Sequence, residues 1–461
     1  MFRKKRLPAE TRIVGVSRTE FTNEEWRNKL AESTAKFEPK EFDAASFAEF
    51  AKWVFYSPGN IKTAADFTKL GKALDEIEGG KPTEHVYYLS TSPVFYEEAI
   101  RQLGAAGLSK EEGAAKRRIV IEKPFGTDLE SARSLNAVTH ASFDESQVYR
   151  IDHYLGKETV QNVFVLRFAN SIFEPIWNRN FIDHVQITVA EEVVVGRRGE
   201  YYDTAGVTRD MFQNHILQLL TIIAMEPPAR YRADSVRDEK VKVLQAVQRM
   251  TPEMVATDTL RAQYDGYLQE PGVAADSQTP TWAAMKLEID NWRWKGVPFY
   301  LRSGKAMSCR TTQIVIQFKL PPTLLFGGGN NVASRQPNQL VIQVQPNEGI
   351  QLNFQTKVPD AGMKIRQTAL DFRFDKEFST GMPEAYQRLL LDALQGDASL
   401  FARADEVEYA WGIIDPILKA WKDHSAPPME TYEPGIWGPE HSTRWMWTQG
   451  REWFDICPVI K

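Results

Sequence analysis

The sequence predicts two domains, an α/β domain with a parallel sheet followed by a larger α+β domain with a mostly antiparallel sheet. Short apolar runs alternate with helical patterns up to about residue 151, which is typical of strands joined by crossover helices. From Ile182 onward, several segments alternate apolar and polar residues with a period of two, which indicates antiparallel strands with one covered face. The length of 461 residues also suggests more than one domain.

The composition predicts a globular chain with a large core. Hydrophobic residues make up 43% and charged residues 25% of the sequence. The formal net charge of −5 argues against a general nucleic-acid binder, which normally carries a basic surplus. Two cysteines, Cys309 and Cys457, are too few for a disulfide framework and indicate a reducing compartment. Because no run of 18 apolar residues is present and the basic start lacks a signal peptide's apolar segment, we expect a cytoplasmic protein without a membrane partner.

The first domain is expected to span residues 1–152. A helix that begins near Pro93 is favoured because proline is tolerated in the first turn. Thr127 or Asp128 is expected to cap another helix that reaches about His140. The predicted strands are 12–18, 85–89, 118–122 and 148–151, and the predicted helices are 23–35, 43–54, 65–77, 93–103 and 127–140.

The second domain is expected to span residues 153–461. Helices should cover the inner face of its sheet, and residues 321–338, with Gly327 to Gly329, are expected to form a mobile loop. The last stretch, rich in Trp, Gly and Pro, is expected to be an irregular docking tail. The predicted strands are 183–190, 285–289, 313–318, 339–345 and 350–354, and the predicted helices are 207–225, 235–250, 383–394 and 405–421.

One stretch, Arg150 to Glu158, concentrates chemistry at the end of a predicted strand. Asp152, His153, Tyr154 and Lys157 place an acid, an imidazole, a phenol and an amine within six residues. The three donors suit a phosphate, with each charge-assisted hydrogen bond contributing roughly 1.5–3 kcal/mol. The alternative is an ordinary polar loop at a strand end.

A second stretch, Arg209 to His215, combines an acid and a histidine on a predicted helix. Asp210 and His215 are five residues apart and can both face one cleft. A histidine among Ile216, Leu219 and Leu220 is also compatible with a hydrogen-bonded core residue. Two further segments carry a lysine at a strand end, Glu122 to Gly126 and Val297 to Lys305. The first closes a strand of the first domain, where open α/β sheets bind ligands. In the second, Lys305 follows a glycine, so its amine can enter the cleft with little steric hindrance.

The Arg150 to Glu158 segment, supported by the Arg209 to His215 and Val297 to Lys305 segments, resembles glucose-6-phosphate dehydrogenases. The resemblance extends from about Thr11 to the C-terminus. It implies a Rossmann-like first domain and NADP-dependent oxidation of glucose 6-phosphate to the 6-phosphoglucono-lactone, the first step of the oxidative pentose phosphate pathway. It also implies a homodimer or homotetramer. A Glu-Lys-Pro segment also occurs in related dehydrogenases that act on other sugars, but the two longer motifs disfavour that alternative.

The resemblance also implies catalytic and substrate-binding roles. His215 is expected to take the proton from the anomeric hydroxyl, and Asp152 to fix the imidazole tautomer by a hydrogen bond. The remaining expected substrate ligands are cations, aromatic donors and carboxylates suited to a phosphate and to sugar hydroxyls. They are His153, Tyr154, Lys157, Glu191, Asp210, Lys305 and, as a weaker expectation, Arg310. Glu191 and Glu192 are equally compatible with a solvated strand end.

Two residues are expected to bind the cofactor. Lys123 is placed to contact the nicotinamide side, and Arg18, after a strand, lies where a 2′-phosphate would lie and favours NADP over NAD. The family carries a glycine-rich turn before the position of Phe2, so the sequence as it stands implies an incomplete dinucleotide-binding domain. An alternative function is therefore a catalytically impaired or non-catalytic sugar-phosphate-binding chain. No metal is expected, because hydride transfer to nicotinamide requires none.

Overall fold

The computed structural model describes residues 1–8, 10–113, 115–323, 325, 336–378, 384–423 and 427–457. The chain forms two compact units, each made of more than one stretch of sequence. The first unit comprises Met1–Gly126, Glu130–Ile151 and Tyr386–Ala404. The second comprises Thr127–Leu129, Asp152–Ala385 and Asp405–Lys461. Most of the predicted loop 321–338, including Gly327 to Gly329, and the predicted helix start at Pro383 lie outside the described residues.

The first unit has the predicted Rossmann-like α/β architecture, with five strands among its described residues. All strand pairs are parallel, in two separate sheets of order β1-β2 and β3-β4-β5, and no strand in the described range joins β1 to β3. The strands are β1 (Ile13–Ser17), β2 (Val54–Pro58), β3 (His85–Leu89), β4 (Arg117–Ile121) and β5 (Val148–Arg150). The helices are α1 (Asn23–Phe37), α2 (Ala44–Ala51), α3 (Ala64–Glu78), α4 (Tyr96–Ala105), α5 (Leu129–His140) and, later in the chain, α12 (Ala385–Gln395).

Local sequence explains most of these elements. Thr22 caps α1 by accepting a hydrogen bond from the Glu25 backbone, while the Glu25 side chain accepts one from the Thr22 backbone. The apolar β4 is the central strand of its sheet and is almost entirely buried. The predicted helix 43–54 is too long, because the chain leaves α2 and continues into β2. β2 was missed because its sequence, VFYSP, directly follows an apolar helix without a turn signal.

The second unit contains a nine-stranded, mostly antiparallel sheet, as predicted. Its order is β13-β12-β11-β10-β6-β9-β8-β7-β14, and only the pairs β6–β9 and β7–β14 are parallel. The strands are β6 (Ile182–Ala190), β7 (Thr259–Tyr264), β8 (Trp282–Glu288), β9 (Pro298–Gly304), β10 (Thr311–Phe318), β11 (Gln339–Gln345), β12 (Gly349–Lys357), β13 (Ile365–Arg373) and β14 (Glu430–Tyr432). The helices are α6 (Glu158–Phe168), α7 (Gly199–Val207), α8 (Leu217–Ala224), α9 (Ala233–Ala246), α10 (Pro252–Asp258), α11 (Phe374–Glu377), α13 (Ala404–Lys422) and α14 (Glu440–Thr448).

The predicted helix 207–225 differs from the structure in one important respect. Between α7 and α8 the chain forms a π-helix, Thr208–Ile216, rather than continuous α-helix. Gly206, with φ of 62°, marks the change of direction before it. The predicted irregular tail is also only partly right, because it contains α14.

The C-terminal segment after α14 packs on the sheet and is cross-linked to it. Cys309 and Cys457 form a disulfide across 148 positions of sequence, with their Cα atoms 6.5 Å apart. Asp455 accepts a hydrogen bond of 2.6 Å from Arg302, which is fully buried. The cysteine count did not predict this disulfide, although one disulfide does not make a disulfide framework. Among the described residues, every helix is too short or too polar to span a membrane.

Candidate active site

Several predicted site residues lie at one edge of the nine-stranded sheet. Strands β6 and β9 are parallel, and Ala190 pairs with Gly304 in the register. Glu191 and Lys305 directly follow these two residues, so both leave the sheet at the same edge. Strand β10 runs the other way and begins opposite Ala190, which brings Arg310, the residue before it, to that edge too. Three distant segments of sequence are thus brought together by strand pairing alone.

Lys305 is the centre of the charged part of this edge. Its side chain is only 9% exposed, and its ammonium forms an ion pair with Glu191. A second carboxylate, Asp210, lies 3.6 Å from the same nitrogen. The Tyr432 hydroxyl donates to the Lys305 carbonyl at 2.6 Å and fixes the backbone below it. Lys305 is therefore oriented by two acids, Glu191 and Asp210.

His215 and Asp152 form a buried acid–base pair. His215 Nδ1 lies 2.6 Å from Asp152 Oδ1, and both side chains are at least 97% buried. Because an ionised carboxylate only accepts hydrogen bonds, Nδ1 carries the proton and Nε2 remains the basic nitrogen. Burial raises the pKa of Asp152, but the charge and hydrogen bond of His215 outweigh it and lower the pKa to about 2. Asp152 thus stays ionised beside the imidazole.

The π-helix explains how Asp210 and His215 serve one site. Residues five apart on an α-helix point about 140° away from each other, at 100° per residue. In a π-helix the backbone bonds join residues five apart, so such side chains lie nearly above one another. The segment Thr208–Ile216 therefore presents Asp210 and His215 on one side. The prediction that they share a cleft depends on this local geometry, which the sequence pattern did not reveal.

Two aromatic residues of the Arg150 to Glu158 segment pack on the His215 ring. The Tyr154 ring stacks on it, with centroids 4.3 Å apart, and the His153 ring meets it edge-on at 4.6 Å. The Tyr154 hydroxyl lies 3.3 Å from both Thr312 Oγ1 and Gln345 Nε2. Tyr154 therefore limits the rotation of the imidazole, in addition to any contact with a ligand.

Lys157 and Arg310 provide a cationic side of the site. Lys157 precedes α6, and its ammonium lies 5.7 Å from the centroid of the Tyr154 ring. Burial lowers the pKa of Lys157, the charge of Glu348 opposes this shift, and the charge of Arg310 adds to it. Two cations close enough to repel each other are a favourable arrangement for a dianionic phosphate.

Three side chains at the same place are close enough to act together as metal ligands. Donor atoms of Asp152, His153 and His215 all lie within 4.8 Å of one another. The sequence pattern did not indicate this cluster, because His215 is far from the other two in the chain. The hydrogen bond between Asp152 and His215 accounts for the closeness of two of the three groups.

The two predicted cofactor residues lie in the first unit. Arg18 is exposed and directly follows β1, and Lys123 is half-buried and follows β4 by two residues. Both positions are at carboxyl ends of parallel strands, where open α/β sheets bind nucleotides. The Arg18 guanidinium suits a 2′-phosphate and the Lys123 ammonium suits the nicotinamide side, so these two residues fit the group. Their roles stay predictions.

Sequence reasoning missed several residues that shape the site. Thr312 and Gln345 hold Tyr154, the ring of Tyr202 faces Lys305, and Glu348 lies beside Lys157. A common signal existed for Thr312 and Gln345, since both are polar residues at ends of predicted strands. Tyr202 and Glu348 carried no comparable signal.

Comparison with known proteins identifies the family. Residues 1–162 match the family described as "Glucose-6-phosphate dehydrogenase, NAD binding domain", and residues 164–454 match "Glucose-6-phosphate dehydrogenase, C-terminal domain". The glucose-6-phosphate 1-dehydrogenase of Aggregatibacter actinomycetemcomitans is 43% identical and that of Treponema pallidum 45% identical. These alignments cover 98% and 95% of this chain and 92% and 88% of the relatives.

Solved structures agree. A glucose-6-phosphate dehydrogenase in complex with its substrate glucose 6-phosphate has a TM-score of 0.89 and 34% identity, over 98% of this chain and 93% of that chain. The glucose-6-phosphate 1-dehydrogenase of Mycobacterium avium has a TM-score of 0.82 and 35% identity, over 96% and 91%. Both family domains and these nearly full-length matches lead to one conclusion: the chain belongs to the glucose-6-phosphate dehydrogenase family.

Proposed function

We propose that this chain oxidises glucose 6-phosphate to 6-phosphoglucono-lactone with NADP, the first step of the oxidative pentose phosphate pathway. The observation that carries the proposal is one continuous set of contacts that links the cations to the base. Lys157 packs on Tyr154, and Tyr154 stacks on His215. The π-helix carries both His215 and Asp210, and Asp210 forms an ion pair with Lys305. A phosphorylated sugar that spans this set places its charged end and its reacting carbon on different residues.

In this reaction His215 takes the proton from the anomeric hydroxyl. The nicotinamide of a bound NADP would supply the acceptor for the hydride of the same carbon. Asp152 stabilises the imidazolium as it forms and keeps the basic nitrogen directed away from itself. The stacked Tyr154 ring preserves that orientation.

The substrate is held by two kinds of group. Lys157, His153, Tyr154 and Arg310 hold the phosphate, because cations and neutral donors suit its oxygens. The remaining ligands, Glu191, Asp210 and Lys305, hold the sugar hydroxyls, because carboxylates accept from them and an ammonium donates to them.

The cofactor is assigned to the first unit. Lys123 contacts the nicotinamide side, and Arg18 pairs with the 2′-phosphate and so favours NADP over NAD. We assign residues 1–152 to the dinucleotide-binding domain and residues 153–461 to the substrate and oligomerisation domain, in a cytoplasmic homodimer or homotetramer. The impaired or non-catalytic alternative is not favoured, because relatives named as the enzyme match 95–98% of the chain.

The direct test is NADP reduction with glucose 6-phosphate, followed at 340 nm, by the wild-type chain and by His215→Asn. Loss of the base is expected to lower turnover by about 10²–10⁴. His184→Asn is the matched control, because His184 is also a buried histidine paired with an aspartate but lies on β6 outside the proposed site. Near-normal turnover in His215→Asn would remove the assignment.

A further inference from the structure

Tyr202, on α7, has a buried hydroxyl without a hydrogen-bond partner in the part of the chain that the structure describes. The residue is only 3% exposed, and its hydroxyl forms no hydrogen bond among the described residues. It belongs to a cluster of buried aromatic residues that also includes Tyr264, Tyr267 and Tyr432. Those three hydroxyls donate to Glu270, Asp203 and the Lys305 carbonyl at 2.6–2.8 Å. Of these four tyrosines, only Tyr202 lacks a hydrogen-bond partner among the described residues. An unsatisfied buried hydroxyl is costly unless a ligand or water satisfies it.

The surroundings of Tyr202 are those of the proposed substrate site. The Lys305 ammonium lies 5.4 Å from the centroid of its ring. Burial raises the pKa of Tyr202 well above its usual value, and the charges of Asp210 and then Glu191 raise it further. The phenol is therefore a permanent hydrogen-bond donor beside the three residues assigned to the sugar hydroxyls.

We propose that the Tyr202 hydroxyl donates a hydrogen bond to a hydroxyl group of the bound hexose. The inference rests on the proposed function and adds a substrate-binding residue to it. A sugar hydroxyl needs both an acceptor for its proton and a donor for its lone pairs. Glu191 and Asp210 supply acceptors only, and Tyr202 supplies a second donor beside the Lys305 ammonium.

The charges around Tyr202 favour a sugar hydroxyl over the phosphate as its hydrogen-bond partner. The negative charges of Asp210 and Glu191 raise the pKa of the Tyr202 phenol, and the same charges would repel a dianionic phosphate. The cations Lys157 and Arg310, in contrast, lie close to each other, and the charge of Arg310 lowers the pKa of Lys157. A neutral hydroxyl is the substrate group that fits beside two acids.

The first experiment compares Tyr202→Phe with Tyr267→Phe. Both replace a buried tyrosine of the same cluster, but only Tyr267 has a protein partner, Asp203. Tyr202→Phe is expected to leave the unfolding midpoint of the free protein unchanged or raised, because no protein bond is lost. It is expected to raise KM for glucose 6-phosphate about 2- to 10-fold, with KM for NADP unchanged. Tyr267→Phe should lower the midpoint and leave KM for glucose 6-phosphate unchanged.

A binding measurement separates this inference from the proposed function. The thermal midpoint is measured with and without glucose 6-phosphate, in the absence of NADP. If the substrate does not stabilise the wild-type chain, the proposed function fails. If it stabilises the wild-type chain and Tyr202→Phe equally at subsaturating concentration, the proposed function survives and the role of Tyr202 is wrong.

Deoxy analogues identify the partner hydroxyl. The 2-, 3- and 4-deoxy forms of glucose 6-phosphate are titrated against the wild-type chain and Tyr202→Phe. One analogue is expected to bind both proteins with the same affinity, because it lacks the hydroxyl that Tyr202 contacts. If Tyr202→Phe weakens all three analogues, and the 1-deoxy sugar phosphate as well, by the same factor as the parent sugar, the hydrogen bond goes to none of the sugar hydroxyls and the inference is overturned.

Discussion

Replacing Asp152 by asparagine tests the role of the buried pair with His215. A pKa of about 2 for Asp152, compared with 3.8 for an unperturbed aspartate, corresponds to roughly 2 kcal/mol of net favourable interaction. His215 makes the largest favourable contributions to this shift, and because that pairwise coupling is mutual it also stabilises the imidazolium that forms when His215 accepts a proton. Burial opposes the shift, so the interaction with the surroundings exceeds this net value. The expected loss of turnover in Asp152→Asn is therefore about 10²-fold or more.

The assay is kcat for NADP reduction at saturating glucose 6-phosphate, over a range of pH. The matched control is Asp183→Asn, because Asp183 accepts a 2.7 Å hydrogen bond from His184 in a second histidine–aspartate pair. That control should retain turnover. A decrease in kcat of less than about fivefold in Asp152→Asn, with the fold intact by circular dichroism, would refute the reasoning, since the carboxylate would then not stabilise the transition state.

Four further outcomes are expected. Lys157→Ala should raise KM for glucose 6-phosphate about 10- to 100-fold, from the loss of a charged hydrogen bond, and leave KM for NADP unchanged; equal losses of both would contradict its role. Gly304→Ala should destabilise the protein by about 1–3 kcal/mol in chemical unfolding, because a Cβ there would overlap the indole of Trp282; an unchanged midpoint would show that the indole can move. Cys457→Ser should lower unfolding free energy by about 2–5 kcal/mol relative to the oxidised chain, whereas the reduced wild-type chain should match the variant. The depressed pKa of Asp152 contributes stability that is present above pH 3.8 and lost as pH falls toward about 2; Asp152→Asn should lose less stability across that window in pH-dependent unfolding.

The sequence predicted the architecture well where periodicity was strong. The alternating segments 313–318 and 339–345 correspond to β10 and β11, and the period was visible because one face of the sheet is covered. β2 was missed because an apolar run beside a helix has no periodicity of its own. The π-helix was missed because its extra residue per turn leaves no mark on composition.

The candidate site was predictable only in part, and the reason is again physical. The residue types of the Arg150 to Glu158 segment suit phosphate binding, and one segment of sequence is enough to predict this. The Glu191 and Lys305 pairing depends on the register of two parallel strands more than 100 residues apart. The Tyr202 hydroxyl has no partner among the described residues because the side chains packed around it place no acceptor within reach. A single stretch of sequence does not reveal that packing.

The two separate sheets of the first unit have a consequence for handling the protein. β1 and β3 each have only one neighbouring strand in the described part of the chain, so one side of each carries unpaired backbone donors and acceptors. Val16 on β1 is 48% exposed and Tyr88 on β3 is 39% exposed, so apolar side chains accompany these edges. Such an edge is a template for strands from other molecules, and concentration-dependent self-association of the purified chain should begin there.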